Sequence, residues 1–232
     1  MDVTKRIIVF ITFFICCGCI TFLAASLATK EWIVAKPVRI VVNLTDEDEG
    51  KFRGYINFGL FEGSKQLNHG FGNRKTHILV RQEIIQNPSL MSNGLWLFTI
   101  ICVSLATLFA LISAVFAIIN TVLIPVEIIV GIMGLYLWNS IGALFSLAAV
   151  ISWTIQYFTK LKDNVMTTEE QDQNWTSKDK AWLGYSFWFV VIVIIFFLLN
   201  IGLVTLALQQ PWERRKPKPV LEKNPEGVIM LY

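Results

Sequence analysis

The sequence predicts an all-α transmembrane four-helix bundle with a small extracellular β-sheet in its first loop. Three observations lead there. Of the 232 residues, 54% are hydrophobic and only 16% are charged, and the mean hydropathy is +0.57. The apolar residues are massed in four blocks, 7–28, 95–119, 132–158 and 185–208, in place of the periodic scatter of a soluble domain. None of the blocks contains Asp, Glu, Lys, Arg or His. At about 1.5 Å per helical residue, each is long enough to cross a hydrocarbon core of roughly 30 Å. The chain therefore reads as a single tetraspan membrane domain over 1–232.

The first span, 7–28, follows Lys5 and Arg6 and ends on Ser26-Leu27-Ala28. That is the outline of a signal peptide, but the apolar stretch exceeds a signal core, which predicts a retained helix. Cys16, Cys17 and Cys19 lie inside it, as Cys102 lies inside the second span, and both large loops lack cysteine. No disulfide can therefore staple the loops, and the thiols read as small packing residues. The first loop, 30–94, holds three strand-like segments: Trp32–Val42, Phe52–Phe61 and Thr76–Ile85, the last turning helical around Gln82–Gln86. Between the first two lies Asp46-Glu47-Asp48-Glu49-Gly50, which lacks EF-hand ligand spacing and reads as a solvated turn. His69 and His77 have no partner at metal spacing, so they read as ordinary loop residues and no metal site is expected.

The second span, 95–119, carries a stripe of Ala106, Ala110 and Ala114 beside Ser113 and Ala117. Gly142 with Ser146 repeats the pattern in the third span, 132–158, and Ala24 with Ala28 in the first. Small residues at this spacing let helix backbones approach closely. The fourth span, 185–208, is rich in Ile, Val and Phe, lacks such a stripe, and is expected to face lipid more. Asn139, Asn200 and Gln156 are the amides within the spans. Lacking ionised neighbours, they read as bonds between helices and not as a permeation path. A turn over 120–131 joins the second and third spans, a second loop covers 159–184, and a tail covers 209–232.

Four spans put both termini on one side. Lys5, Arg6 and the Arg214-Arg215-Lys216 cluster with Lys218 favour the cytoplasm for that side, the cluster serving as a stop-transfer flank or a lipid anchor. Two N-x-S/T sequons, Asn43-Leu44-Thr45 and Asn174-Trp175-Thr176, then fall outside, so Asn43 and Asn174 are expected N-glycosylation sites. Trp32, Trp96, Trp153 with Tyr157, and Trp182 with Tyr185 and Trp188 lie near the outer helix ends, where an interfacial aromatic belt is expected. Trp138 is expected to pack between helices.

No G-x-S-x-G, phosphate loop or HExxH occurs, and the loop glycines miss the G-x-G-x-x-G spacing. An enzyme, a cofactor and a small-molecule substrate are therefore not expected. The charge of +3 is dispersed, without a basic stripe for nucleic acid. The terminal Met230-Leu231-Tyr232 fits the form that adds as a strand to a PDZ domain, or else a tail that folds back on the membrane.

A tryptophan just outside the first helix, Trp32, followed by Gly59-Leu60-Phe61, resembles the W…G-L-W theme of the claudin-like tetraspan superfamily. More closely, YINFGLFEG at 55–63 with NHGFG at 68–72 resembles the first extracellular loop of the clarins. GLYLWNSIGA at 134–143, GYSFW at 184–188 and the terminal EGVIMLY are similar to clarin segments too, so the resemblance covers the whole chain. The cysteine-free first loop is nearest the third clarin paralogue. Claudins carry a cysteine pair after G-L-W, whereas this chain has none there and has Phe61 in place of the second tryptophan, which counts against a paracellular channel.

The resemblance implies a claudin-like tetraspan topped by a small extracellular sheet. Within it Trp32, Gly59, Leu60, Phe61 and Gly63 form a structural motif, a bend seating apolar residues against the bundle. It also implies a non-enzymatic plasma-membrane protein, associated in its family with sensory hair-cell membranes, that organises complexes. Expected partners are membrane lipids, other membrane proteins laterally, and cytoplasmic scaffold or actin-linked proteins through the tail. The alternative is an accessory subunit of a channel or transporter.

Overall fold

The computed structural model describes residues 3–40, 51–122 and 131–209. In chain order its elements are α1 (Val3–Ala28), β1 (Ile33–Ala35), β2 (Val38–Arg39), β3 (Gly54–Phe58), β4 (Glu62–Asn68), β5 (Asn73–Leu79), α2 (Val80–Gln86), α3 (Asn93–Val122), α4 (Ile132–Gln156), α5 (Thr168–Asp172), β6 (Trp175–Thr176), β7 (Ala181–Leu183) and α6 (Tyr185–Gln209). A single π turn, Tyr157–Leu161, extends α4 and turns Leu161 into the core. Helices α1, α3, α4 and α6 are long and apolar enough to cross a membrane.

The four long helices form a ring in which α1 and α4 each pack against both α3 and α6. The reason lies in the spacing of their buried residues. In α1 these are Val9, Thr12, Cys16, Cys19, Leu23 and Ser26; in α6, beyond Ser186 and Phe187 at its start, they are Val190, Val193, Phe197, Asn200, Val204 and Ala207. Both rows step alternately by three and four. So do Trp96, Thr99, Val103, Ala106, Ala110, Ser113, Ala117 and Asn120 in α3, and Leu135, Asn139, Gly142, Ser146, Ala149, Trp153 and Gln156 in α4. A mean step of 3.5 keeps one seam facing its neighbours along a left-handed, shallow-crossing bundle. Gly142 is needed in that seam, since a Cβ there would lie 2.5 Å from the Phe197 ring.

The small-residue stripe of α3 is buried as expected. Ala24 and Ala28 are not: both are exposed, because the inward row of α1 runs through Cys19, Leu23 and Ser26. The aromatic belt needs a similar correction. Trp182, Tyr185 and Trp188 are exposed, but Trp32, Trp96 and Trp153 are buried where the loops meet the helix ends. Trp138 does pack between helices, stacked on Phe109 and Phe116.

Over the ends of the helices sits an antiparallel sheet in the order β5-β4-β3-β1-β7. The expected sheet used the first loop alone, whereas β7 comes from the second and pairs Ala35 with Ala181 and Ile33 with Leu183. A second small pairing, Val38 with Thr176 and Arg39 with Trp175, ties the same two loops again. Strand β4 lies where no strand was expected, and the helical turn expected near Gln82–Gln86 is α2. Asn43, the acidic turn 46–50, the cluster 214–218 and Met230-Leu231-Tyr232 lie outside the described residues.

Candidate functional site

The residues singled out in the first loop converge on the seam between sheet and helices. Strand β3 ends at Phe58, and the chain reverses through 59–61 into β4, with the Gly59 N–H donating to the Glu62 carbonyl at 2.8 Å. A Cβ on Gly59 would lie 2.6 Å from the Thr29 carbonyl oxygen and 2.8 Å from Lys30 Cα. Those are backbone atoms at the end of α1 and cannot swing aside, so only glycine lets the turn approach. The approach buries Leu60 completely and brings its carbonyl to the Trp96 indole N–H, 2.8 Å away at the start of α3. Gly63 is constrained likewise, its absent Cβ lying 2.6 Å from the Asn57 carbonyl and 2.7 Å from the Phe58 ring. Phe61 departs from expectation. It is 49% exposed, because the bend that drives Leu60 inward turns the next side chain out.

Trp32 is the other half of the seam. Fully buried, it donates its indole N–H to the Ser26 carbonyl at 2.8 Å and stands edge-on to Trp153, ring centroids 5.0 Å apart. Its backbone joins both loops: the Trp32 N–H donates to Phe58, and its carbonyl accepts from Gly184. The Gly184 position has no room for a side chain, since a Cβ would overlap the Glu31 carbonyl. The GYSFW segment therefore begins with a glycine that the loop contact requires.

Several contributors to this cap had no signal in the sequence reading. The Asn164 carboxamide oxygen accepts from the Met166 and Ser177 N–H groups and the Ser177 hydroxyl, closing the second loop on itself. Lys65 carries its ammonium into the fold, 2.6 Å from Glu170 and 3.9 Å from Glu83, with only 9% of its side chain exposed. Glu170 also completes the capping box of α5 through the Thr167 N–H. One carboxylate thus orders the short helix and fastens it to the hairpin of β4 and β5. Asn174 follows that helix with φ at 64°, a left-handed conformation that asparagine tolerates well. The residue accordingly has a backbone reason to be asparagine beside its sequon.

On the open face of the sheet, Lys30 bonds Glu62 at 2.5 Å and His77 Nε2 at 2.9 Å. The hydrogen bond from Lys30, and then its charge, hold Glu62 below the usual carboxylate value. Tyr55 donates to Glu31 at 3.3 Å, and burial, then that carboxylate, raise its phenol above the ordinary value. His69 stands edge-on to the buried Trp175. Among the described residues, no three His, Cys, Asp or Glu side chains come together as a metal site.

Below the cap the amides bond across helices. Asn139 donates to the Leu135 carbonyl at 2.8 Å, which leaves its oxygen to accept from Asn200 at 3.1 Å. Asn200 also reaches the Cys16 sulfur at 3.3 Å, so one cluster ties α1, α4 and α6. Gln156 of α4 holds both the N–H and the carbonyl of Ser92 before α3. Cys16, Cys17, Cys19 and Cys102 are all free thiols. The geometry thus offers a braced cap on a bundle whose buried amides hold the helices to one another.

Comparison with known proteins extends the likeness along the chain. A family profile described as Clarin-2-like matches residues 4–204. The chain is 30% identical to human Clarin-3 over 245 aligned positions covering all of both chains. It is 25% identical to mouse Clarin-3, covering 99% of this chain and 100% of that one. It is 26% identical to mouse Clarin-1, covering 88% of this chain and 87% of that one.

Proposed function

Because this chain belongs to the clarin family, we propose that it is a non-enzymatic multi-pass membrane protein that organises a plasma-membrane complex through its outer loops and tail. The observation that carries this reading is the cap. Two loops share one five-stranded sheet, locked to the helix ends by Trp32, Gly59, Trp96 and Gly184. A surface held on rigid elements is suited to lateral contacts with other membrane proteins. The bundle supports the same reading, since Asn200 of α6 donates to Asn139 of α4, and Gln156 of α4 holds the Ser92 backbone just before α3.

We place the fold with the claudin-like tetraspans, with both termini in the cytoplasm and the loops outside, glycosylated at Asn43 and Asn174. Met230-Leu231-Tyr232 is then presented to cytoplasmic scaffold or actin-linked proteins, and sensory hair-cell membranes are the first place to look for the complex. Proximity labelling from the tail, compared with a chain lacking Met230–Tyr232, tests the organiser role. A shared set of membrane neighbours, with a scaffold subset lost on truncation, is the expected result. Purified protein that alone conducts ions or moves solute across liposomes would overturn it in favour of a channel or transporter role. Glycosidase shifts in Asn43→Gln and Asn174→Gln chains test the orientation; a native shift that survives both changes would refute the sequon assignment.

A further inference from the structure

Strand β5 ends the sheet, and the phase of its hydrogen bonds can be read from one contact. The Val80 N–H donates to the Phe61 carbonyl at 3.0 Å, and β5 pairs with β4 in unbroken antiparallel register from Glu62↔Leu79 to Asn68↔Asn73. Bonded and non-bonded pairs alternate along such a ladder. Arg74, Thr76 and Ile78 therefore turn their backbone groups toward β4, while Lys75, His77 and Leu79 turn theirs away. No described strand pairs with that outward edge. Edges are normally blunted by proline, a bulge, short length, charged side chains or a covering element. This one is seven residues long and has no proline, and its two full charges, Arg74 and Lys75, lie toward the hairpin tip, away from 76–79.

A groove of about 700 Å³ follows the edge, within the roughly 300–1,000 Å³ usual for binding clefts. It touches four consecutive residues, 76–79. Side chains of Thr76 and Ile78 lie on one face of the strand and those of His77 and Leu79 on the other, so the groove takes in the strand edge as well as the face that carries Lys65 and Leu67. The facing walls come from α2 with Gln82 and Gln86, and from α5 with Glu169 and Gln173. Lys65 is shared between Glu170 at 2.6 Å and Glu83 at 3.9 Å, so the lining's three carboxylates, Glu83, Glu169 and Glu170, exceed its Lys and Arg side chains, Lys65 and Arg74, by one. Glu83 and Glu169 make the stretch beside 76–79 carboxylate-rich, with Arg74 displaced toward the hairpin tip.

We propose that this groove receives an extended, basic and polar segment of a partner protein, added to the sheet as a sixth strand beside β5. Main-chain bonds to His77 and its neighbours supply affinity, and cationic side chains on the segment meet Glu83 and Glu169. The assignment of the occupant to a partner protein rests on the organiser reading above; the docking chemistry does not.

The test uses the full chain in lipid nanodiscs and a fluorescein-labelled Thr-Lys-Thr-Lys-Thr-Lys-Thr-Lys peptide, followed by anisotropy. Saturable binding is expected, at least tenfold weaker for the peptide methylated on every backbone nitrogen and for a Thr-Glu counterpart. His77→Pro removes an outward N–H that no described strand engages and is expected to weaken binding tenfold, whereas His77→Ala retains it. Absence of saturable binding, or binding indifferent to peptide methylation, overturns the proposal without reference to any variant's folding. A two-copy mass that falls to one copy in His77→Pro would assign the edge to a second copy and also overturn it. Failure here with a stable set of tail-labelled neighbours would leave the organiser reading standing.

Discussion

Adding one methyl group at Gly59 tests how the cap is seated. In Gly59→Ala the new Cβ sits 2.6 Å from the Thr29 oxygen and 2.8 Å from Lys30 Cα, roughly 0.6 to 1 Å inside ordinary contact, so the turn must lift off the end of α1. Forced backbone shifts of this kind cost about 1–3 kcal/mol. Lifting the turn also draws the Leu60 carbonyl from the Trp96 indole, and a buried N–H left unbonded costs about 1–3 kcal/mol more. The sum is a loss of about 2–6 kcal/mol, or on the order of 4–24 °C in melting temperature for a chain of this length. Gly94→Ala is the control: nothing lies within 4 Å of its Cβ, and alanine within a helix is favoured over glycine by about 0.5–1 kcal/mol. Melting followed by tryptophan fluorescence in detergent should show Gly59→Ala lowered and Gly94→Ala equal to or above the parent. If Gly59→Ala melts with the parent, the close approach is not what seats the cap.

Three further outcomes follow from the contacts. Asn200→Leu is expected to cost about 1 kcal/mol, and Asn139→Leu/Asn200→Leu together less than the sum of the two; additive losses would show that the amides act separately. Lys65→Met leaves Glu170 without its buried cation and should cost about 3 kcal/mol, with α5 amides gaining hydrogen exchange before those of the long helices. Because the folded value of Glu62 is depressed, its pairing contributes fully above its ordinary value of 4.5 and is lost as pH falls through the lower folded value. The melting difference between parent and Glu62→Gln should therefore be present at pH 4.5 and above, where His77 also faces Glu62, and shrink below it; a difference that keeps growing below about 4.5 would contradict the pairing.

The helices were legible because a membrane span is written in composition, and uncharged runs of 22 residues or more have few other destinations. The packing face was less so. Ala24 and Ala28 have the right spacing, yet Leu23 and Ser26 hold the seam, because size alone does not tell which of two adjacent rows turns inward. Strand β4 was hidden by its own contents: the inward positions of EGSKQLN are Gly63, Lys65 and Leu67, so burial alternates without hydropathy alternating. Three-residue β7 is too short to announce itself and exists because β1 offers it an edge. Trp32 and Leu60 are buried at the seam, whereas Phe61 lies on the outer side of the bend, a choice that apolar character alone does not reveal. Lys65 could not be found, since a lysine is buried only when distant carboxylates meet it.

The pairing of β1 with β7 also orders events during synthesis. Ile33 emerges from the ribosome about 150 residues before Leu183, and until then one margin of the nascent sheet has no neighbour. The cap can close only when the chain has passed through its third span and reached the strand just before its fourth. Chains that stop short of residue 181 should therefore leave β1 open to pairing with other proteins. A truncation of that kind would be recognised by quality control through the first loop, far in sequence from the missing part.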